Sequence, residues 1–317
     1  MIGSPDETTP ATSDGWRVLA ESIKPHLVGE LQADEGKVQA MVDEAVKAML
    51  PDRIEVDCGK EQSVRIDRSH KALKEVIGIR KAGFNNLYLV GPAGTGKTTL
   101  ARQFAEAFAT DFGCLSMSAG VSETHILGRV LPQSDGEWRA SETDFIRIYS
   151  EGGVFLLDEM DNTDPNVLVQ LNAALANGFL VNPITGKTYN RHPDTVIICA
   201  ANTYGNGPDA QYVGRNQLDA ATLDRFIGAF VEIDYDRSLE RAIAREILPV
   251  EDADEVIEWI KAVRKAIKDH RLRKVASTRM LEAACKHRAS GTDMKQVIKR
   301  MLIGWSKEAT AKIEWEG

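Results

Sequence analysis

The sequence predicts an α/β fold in which helices cover both faces of a parallel sheet, followed by a small all-helical region. Between residues 86 and 233, continuous apolar runs alternate with amphipathic helical patterns. Strands that are apolar along their whole length are typical of a parallel sheet buried on both faces. From Arg237 onward the pattern is helical without a strand signal, so we expect a separate helical region there.

Five apolar runs predict the core strands, at residues 86–90, 114–117, 153–158, 196–201 and 229–233. A helix between the third and fourth of these has clear end signals. Asp164 is a favoured capping residue, and Pro165 is favoured at the first helical position. Asn177 and Gly178 are typical of a helix C-terminus, so we expect this helix to span the interval between the two pairs.

The chain divides into four predicted segments. We expect a disordered tail over residues 1–14, N-terminal helices and a β-hairpin over 15–69, the α/β region over 70–236 and the helical region over 237–317. The hairpin is predicted from polar and apolar residues that alternate at 53–57 and 63–67.

Composition excludes some classes of protein. Hydrophobic residues make up 43% and charged residues 27%, and no apolar run reaches the length of a membrane-spanning helix. The N-terminus lacks the basic and apolar parts of a signal peptide, so we expect a cytoplasmic protein with no membrane partner. The four cysteines are too widely spaced for a metal knuckle or a redox pair; we expect Cys114 and Cys199 to be buried thiols.

Charge is unevenly distributed along the chain. The net charge is −8, yet residues 237–317 contain 18 Lys and Arg against 13 Asp and Glu. The total does not favour a general nucleic-acid surface. The basic stretch, which is strongest over residues 261–300, could face a nucleotide, an acidic neighbour or an acidic partner, or it could be a solvated helix face.

A phosphate-binding loop follows the first core strand. Residues 91–98 read Gly-Pro-Ala-Gly-Thr-Gly-Lys-Thr and lie between a predicted strand and a predicted helix over residues 99–110, which is the context this motif needs. Its backbone N–H groups, the helix N-terminus and Lys97 can hold phosphates, and the Thr98 hydroxyl can reach Mg²⁺. The predicted nucleotide-binding residues are Gly91, Pro92, Ala93, Gly94, Thr95, Gly96, Lys97, Thr98 and Thr99.

Two acids end the third core strand, about sixty residues further along. Asp158 is placed to hold Mg²⁺ together with Thr98, and Glu159 to act as general base toward an attacking water. Adjacent Asp and Glu favour hydrolysis over phosphoryl transfer to a small acceptor. Asn202 ends the fourth strand, where its amide could orient that water or simply begin a loop.

These motifs, in this order, resemble those of AAA+ ATPases. The residues that carry the resemblance are 91–98, Asp158-Glu159, 200–203 (Ala-Ala-Asn-Thr) and 223–226 (Leu-Asp-Arg-Phe). Their details are similar to the MoxR/CbbQ/NorQ branch, which includes the CobS chelatase subunit, and the resemblance covers about residues 70–300. It implies a P-loop AAA+ core with a helical lid that binds ATP and Mg²⁺.

The resemblance also implies three further site residues. Asn202 matches sensor 1, Arg225 matches the arginine finger that a neighbouring subunit supplies, and Arg279 matches sensor 2 in the lid. Arg215 is a second candidate for the subunit interface, so the finger could be Arg215, Arg225 or both, and either arginine could instead form a surface ion pair. In this family activity requires assembly, usually into a homo-hexameric ring, and the partner is often a protein with a von Willebrand A-type domain.

Two inserted hairpins match loops that face the ring pore or a partner in this branch. One contains residues 131–138, and the other has its turn at residues 182–186. Trp138 and Tyr189 are the aromatic residues that could be exposed there for gripping a client, or they could pack within their hairpins. The chain departs from CobS at Phe226, where that family tends to have Trp.

The leading hypothesis is a ring ATPase that remodels or activates a protein partner. The alternatives are a nucleic-acid motor of the phage or restriction type, the ATPase subunit of a metal chelatase, and an assembly module that hydrolyses too slowly to do work. A motor is expected to have basic pore hairpins. Residues 131–142 contain three acids and one arginine, whereas residues 179–192 contain Lys187 and Arg191.

Overall fold

The computed structural model describes residues 54–57, 63–66, 68–132, 134–183, 185–209 and 211–315 of the chain. The tail predicted over residues 1–14 and the helical pattern that precedes the first hairpin lie outside this part.

The described elements agree in order with the sequence prediction. The strands are β1 (Ile54–Asp57), β2 (Ser63–Ile66), β3 (Asn86–Val90), β4 (Phe112–Ser116), β5 (Arg129–Pro132), β6 (Trp138–Ser141), β7 (Gly153–Asp158), β8 (Phe179–Val181), β9 (Thr188–Asn190), β10 (Thr195–Ala201) and β11 (Phe230–Glu232). The helices are α1 (Leu73–Lys81), α2 (Lys97–Ala107), α3 (Glu123–Leu127), α4 (Asp144–Glu151), α5 (Pro165–Asn177), α6 (Ala220–Asp224), α7 (Arg237–Ile247), α8 (Val250–Asp269), α9 (Thr278–Ala289), α10 (Met294–Met301) and α11 (Lys307–Ala311).

The central sheet has five parallel strands in the order β11-β3-β10-β7-β4. Every residue of β10 is buried, as the unbroken apolar run predicts for a strand covered on both faces. Because all five strands run in the same direction, their carboxyl ends meet at one edge. The loop after β3, the acids at the end of β7 and Asn202 after β10 therefore lie on the same edge of the sheet.

Two apolar clusters cover the two faces of this sheet. Leu87 and Leu89 belong to the cluster on one face, with α1 and α2, whereas Tyr88 and Val90 belong to the cluster on the other, with α4 and α5. Successive side chains of a strand point to opposite faces, so β3 contributes to both clusters. This double burial holds the phosphate-binding loop on a rigid strand.

The C-terminal region is helical, as predicted. It has an apolar cluster of its own that includes the fully buried Trp259 of α8. Helix α7 packs against α8 and α9. Thr278 at the start of α9 donates its backbone N–H to the carbonyl oxygen of Gly94 over 3.3 Å, so the helical region meets the sheet at the phosphate-binding loop.

Both predicted inserted hairpins are present, as β5–β6 and β8–β9. The structure decides between the two alternatives for each aromatic residue: Trp138 is 69% exposed, as gripping requires, whereas Tyr189 is packed. Tyr189 is only 6% exposed, and its hydroxyl donates to Glu142 Oε1 over 2.7 Å. Its ring lies on the inner side of β9 against the α/β core.

The first hairpin, β1–β2, is antiparallel as predicted, with Ile54 opposite Ile66. The burial expected for Cys114 is wrong, because β4 is an edge strand and this side chain is exposed; Cys199 on the central strand β10 is buried. In the described part of the chain, the helices are too short or too polar to cross a bilayer.

Candidate active site

The phosphate-binding loop connects β3 to α2, and its glycines allow close backbone contacts. A Cβ on Gly91 would lie 1.9 Å from the carbonyl oxygen of Ile233. Gly94 has a φ of +75°, and a Cβ there would lie 2.4 Å from Cβ of Ser277. Helix α2 begins directly at Lys97, so the N-terminal end of its dipole points into the loop.

Lys97 is buried within the loop that it belongs to. Its Nζ donates to the carbonyl oxygens of Gly91 at 2.7 Å and Pro92 at 3.0 Å, and to Asn202 Oδ1 at 3.0 Å. Burial lowers the pKa of Lys97 to about 8, and the nearby charge of Asp158 opposes that shift. The ammonium therefore sits among dipoles without a bonded carboxylate, a setting in which an anionic phosphate is a strong competitor for its protons.

Thr98 and Asp158 are in direct contact across the sheet edge. The Thr98 hydroxyl donates to Asp158 Oδ2 over 2.7 Å, and Asp158 Oδ1 accepts the backbone N–H of Glu159 at 3.0 Å. A hydroxyl and a carboxylate held side by side at the mouth of a phosphate loop are the oxygen ligands that Mg²⁺ takes together with phosphates. The donor set fits Mg²⁺, with Thr98 and Asp158 as the holding residues.

Glu159 follows in a strained backbone conformation. Its φ is +56° and its ψ is +39°, a left-handed region that a non-glycine residue rarely adopts. This turn moves the Glu159 carboxylate out of the direction of β7, and its side chain is 46% exposed. The catalytic candidate therefore reaches solvent beside the Thr98–Asp158 pair.

Asp161 is a site residue that the sequence interpretation missed. It is fully buried, and its Oδ2 accepts the backbone N–H groups of Asn202 at 3.1 Å and Thr203 at 3.0 Å, and the Thr203 hydroxyl at 3.0 Å. Three donors on one carboxylate oxygen fix the end of β10 against the end of β7. A third acid two residues after Asp158-Glu159 is the only sequence signal for this role, and it is a weak one.

Arg215 contacts both Glu159 and Asp161 of its own chain. Its Nη1 lies 3.6 Å from Glu159 Oε2 and 3.3 Å from Asp161 Oδ1, and its side chain is only 14% exposed. Neither Arg215 Nη1 nor Asp161 Oδ1 completes a hydrogen bond. The structure therefore places Arg215 inside the site of the same chain.

One cavity collects most of the predicted site residues. It has a volume of about 510 Å³ and is lined by residues 93–100 of the loop and α2, by Asp158, Glu159 and Asn202, and by Arg279 of α9. Of the Lys and Arg residues within 261–300, Arg279 alone lines this cavity. Lys265 and Lys268 line a second cavity of about 780 Å³ on the other side of α7.

Two tyrosines bind the backbone of Ala93 in the phosphate-binding loop. The Ala93 N–H donates to the Tyr212 hydroxyl over 2.8 Å, and the Tyr235 hydroxyl donates to the Ala93 carbonyl oxygen over 3.1 Å. Tyr235 lies under the Arg264 guanidinium, 3.6 Å from its ring centre. Arg264 forms a bidentate pair with Glu240 at 2.7 and 2.6 Å. Tyr235 and Arg264 thereby tie the loop to the helical region, and Tyr212 binds it from the segment after β10.

Arg225 lies apart from this cavity in its own chain. Its Nη1 is 3.4 Å from Asp224 Oδ2, and its side chain is 30% exposed. The backbone carbonyl of Arg225 accepts from the Asn86 amide at 3.3 Å, which fixes it beside β3 at the end of the sheet away from the phosphate-binding loop. The structure brings Lys97, Thr98, Asp158, Glu159, Asn202, Arg215 and Arg279 together, and leaves Arg225 outside.

Comparison with known proteins agrees with this geometry. Residues 86–226 match the AAA domain of the dynein-related subfamily. This match includes the phosphate-binding loop, both acids after β7, Asn202, Arg215 and Arg225. The chain is therefore an ATPase.

Other proteins of known sequence or structure are also similar to this chain. An uncharacterized protein of Staphylococcus haemolyticus is 28% identical over 210 residues, which cover 63% of this chain and 74% of that protein. An uncharacterized protein of Staphylococcus aureus is 26% identical over 182 residues, covering 56% of this chain and 66% of its own length. The RuvB Holliday junction branch migration motor of Thermotoga maritima is 17% identical with a TM-score of 0.44, over 74% of this chain and 67% of that chain.

Proposed function

We propose that the chain hydrolyses ATP with Mg²⁺ in an oligomeric ring, as a MoxR-like ATPase, and that hydrolysis remodels or activates a protein partner. The observation that carries the catalytic part is the convergence of Lys97, Thr98 and Asp158 beside Glu159. The Thr98–Asp158 contact of 2.7 Å and the Lys97–Asn202 contact of 3.0 Å join the ends of three strands in one cavity. ATP fits this cavity because the loop N–H groups and Lys97 face it.

In this proposal each residue has one role in the reaction. Lys97 binds the β- and γ-phosphates, and Asn202 orients the attacking water. Glu159 takes a proton from that water as the new bond to the γ-phosphorus forms and the bond to the ADP oxygen breaks. Mg²⁺, held by Thr98 and Asp158, neutralises charge on the phosphates when it is bound. Arg279 of the lid adds a positive charge at the same cavity.

The ring completes the site in this proposal. Arg225 lies outside the cavity of its own chain, so we infer that it acts in a neighbouring copy, where its guanidinium stabilises the charge that develops on the transferred phosphoryl group. A homo-hexamer is the expected assembly. A partner protein with a von Willebrand A-type domain is the expected client class.

Charge pairing on the two inserted hairpins favours a protein client over nucleic acid. On β5–β6, Arg139 pairs with Asp135 at 2.9 Å and with Glu137 at 3.2 Å. Just before β9, Lys187 pairs with Glu142 at 3.0 Å. Because acids of the chain neutralise these two cations, they are poorly placed to contact phosphate groups of a nucleic acid. The exposed Trp138 offers an apolar contact to a polypeptide instead.

Glu159→Gln tests the catalytic part. We expect this variant to bind ATP as the wild type does and to lose turnover by roughly a hundredfold or more, because only the proton acceptor is removed. Glu151→Gln, an exposed carboxylate at the end of α4, is the matched control and should hydrolyse ATP normally. Near-normal turnover of Glu159→Gln in a steady-state phosphate-release assay would contradict the role given to Glu159.

The same variant tests the client. A stalled Glu159→Gln ring in ATP is expected to retain a protein partner that is released in ADP and is absent from a Lys97→Ala preparation. Recovery of nucleic acid in its place, with DNA-stimulated and salt-sensitive ATPase activity, would support the motor hypothesis and contradict the protein client.

A further inference from the structure

Residues 211–216 touch three parts of the ATPase site within a single chain. The Gln211 amide donates to the Lys274 carbonyl oxygen of the helical region over 2.7 Å. The Tyr212 hydroxyl accepts the Ala93 N–H of the phosphate-binding loop at 2.8 Å. Arg215 lies between Glu159 and Asp161. We call residues 211–216 the connector.

The far end of the connector is fixed to the segment that follows β7. The Asn216 N–H donates to the Asp161 carbonyl oxygen over 2.7 Å, and the Asn216 amide donates to the Thr163 carbonyl oxygen over 2.9 Å. The position of Arg215 is therefore set by its own chain on both sides. Displacement of the backbone at Arg215 would break these hydrogen bonds.

The ion pair between Arg215 and Asp161 lacks a hydrogen bond, and this suggests a functional role for Arg215. Arg215 Nη1 and Asp161 Oδ1 are both buried and lie 3.3 Å apart, yet neither has a hydrogen-bond partner. Buried polar atoms of a purely structural pair are almost always satisfied. The Arg215 guanidinium also lies 3.6 Å from the Glu159 carboxylate. It therefore lies between Asp161, a buried acid that anchors it, and Glu159, an exposed acid that it can orient.

We propose that Arg215 is a positioning residue that acts within its own chain and orients Glu159 toward the attacking water. The connector transmits conformational changes of the phosphate-binding loop and the lid to Arg215. The inference rests on the proposed role of Glu159 as general base. Asp161 is the anchor, because its other oxygen fixes Asn202 and Thr203. The base and the water-orienting amide are thereby held to one buried carboxylate.

This assignment separates the two arginines left open by the sequence. Arg225 lies outside the cavity of its own chain, whereas Arg215 is part of the site from within. An arginine that contacts the general base and not the phosphates should affect turnover more than ATP binding. Because both the positive charge and the length of the Arg215 side chain are needed, lysine at this position should retain part of the turnover and glutamine should not.

A double-mutant cycle in urea unfolding tests the pairing directly. Arg215→Gln and Asp161→Asn are each expected to lower the unfolding midpoint, and the double variant should lower it by less than the two shifts together. Arg225→Gln combined with Asp161→Asn is the matched control and should be additive. The cycle needs neither ATP turnover nor a ring, so it tests the contact between Arg215 and Asp161 even where the proposed function fails. Additive shifts of the unfolding midpoint for Arg215→Gln and Asp161→Asn would overturn the inference.

Kinetics test the positioning role, and they remain informative if Asp161→Asn does not fold. Arg215→Gln is expected to lower kcat roughly tenfold to a hundredfold with KM for ATP nearly unchanged, and Arg215→Lys to recover part of that loss. Tyr212→Phe removes the acceptor of the Ala93 N–H and should lower kcat in the same direction. A rise in KM without a fall in kcat for Arg215→Gln, or no recovery by lysine, would overturn the inference.

Discussion

Lys97 illustrates how burial prepares a side chain for an anion. Its ammonium donates to three neutral oxygens, and burial lowers its pKa to about 8. A bound polyphosphate favours the charged form and so raises this pKa. ATP binding is therefore linked to proton uptake at any pH at which the unliganded Lys97 side chain is partly neutral.

ATP affinity is expected to fall as the pH rises above about 8, the pKa of unliganded Lys97. Below that pH the lysine is already charged and binding takes up no proton, whereas above it each ATP bound takes up close to one proton. Titration with a fluorescent ATP analogue between pH 7 and 9.5 measures the effect. Lys97→Arg, which stays charged over this range, should show a flat profile, and an equally steep fall in that variant would assign the effect to another group.

Asp161 marks the limit of what residue patterns could predict about the site. The phosphate-binding loop and Asp158-Glu159 were predictable, because each is a short run of neighbouring residues at the end of a strand, which local sequence encodes. Asp161 acts through β10, forty residues further along the chain, and Arg215 reaches it from the connector. Contacts of this kind depend on which strands become neighbours, and a local pattern does not record that.

At the scale of elements, the strands and helices were predictable where periodicity was strong. The unbroken apolar run of β10 and the Asp164-Pro165 and Asn177-Gly178 signals of α5 appear in the structure as the sequence predicts. The environment of Tyr189 stayed open in the sequence because a three-residue strand has too few positions to show which face is buried. Its burial depends on how the β8–β9 hairpin folds back onto the core.

The start of α7 is the element where the α/β core meets the helical region, and Asp236 holds it. Asp236 Oδ1 caps the helix by accepting the N–H groups of Ser238 at 3.0 Å and Leu239 at 3.2 Å. Its Oδ2 accepts the Lys71 N–H at 2.8 Å. One buried carboxylate thus satisfies donors from the helix and from the segment before α1.

Asp236→Ala is expected to reduce the free energy of unfolding by about 2 kcal/mol or more, since it removes a helix cap and also leaves the Lys71 N–H without its acceptor. Asp293→Ala is the control. Asp293 caps α10 by accepting the Gln296 N–H at 3.0 Å and is exposed, so about 1 kcal/mol is expected there. Equal losses in urea unfolding would mean that the bond to Lys71 contributes nothing.

At the scale of the whole molecule, Arg215 and Arg225 lie in different positions relative to the cavity that holds Lys97. Arg215 is enclosed by Asp161 and the connector of its own chain, and only 14% of its side chain is exposed. Arg225 lies beside Asp224, is 30% exposed and does not line the cavity that holds Lys97. In the proposed ring, a complete site therefore needs Glu159 and Arg215 from one copy and Arg225 from the next.

Mixing inactive variants distinguishes these origins. Arg225→Ala and Glu159→Gln should each be nearly inactive alone, but a mixture should regain activity, because some sites receive Glu159 from one subunit and Arg225 from its neighbour. With random mixing of equal amounts in a hexamer, about a quarter of the sites have this combination, so recovery should approach roughly a quarter of wild-type turnover, given the large effect of a trans arginine.

The mixture of Arg215→Ala with Glu159→Gln should regain none, because Arg215 serves the Glu159 of its own chain and no subunit then carries both. Recovery in this second mixture would place Arg215 in the neighbouring site. If the mixture of Arg225→Ala with Glu159→Gln regains no activity although labelled protein verifies subunit exchange, Arg225 does not act in the neighbouring site. That result would not change the role of Arg215 within its own chain.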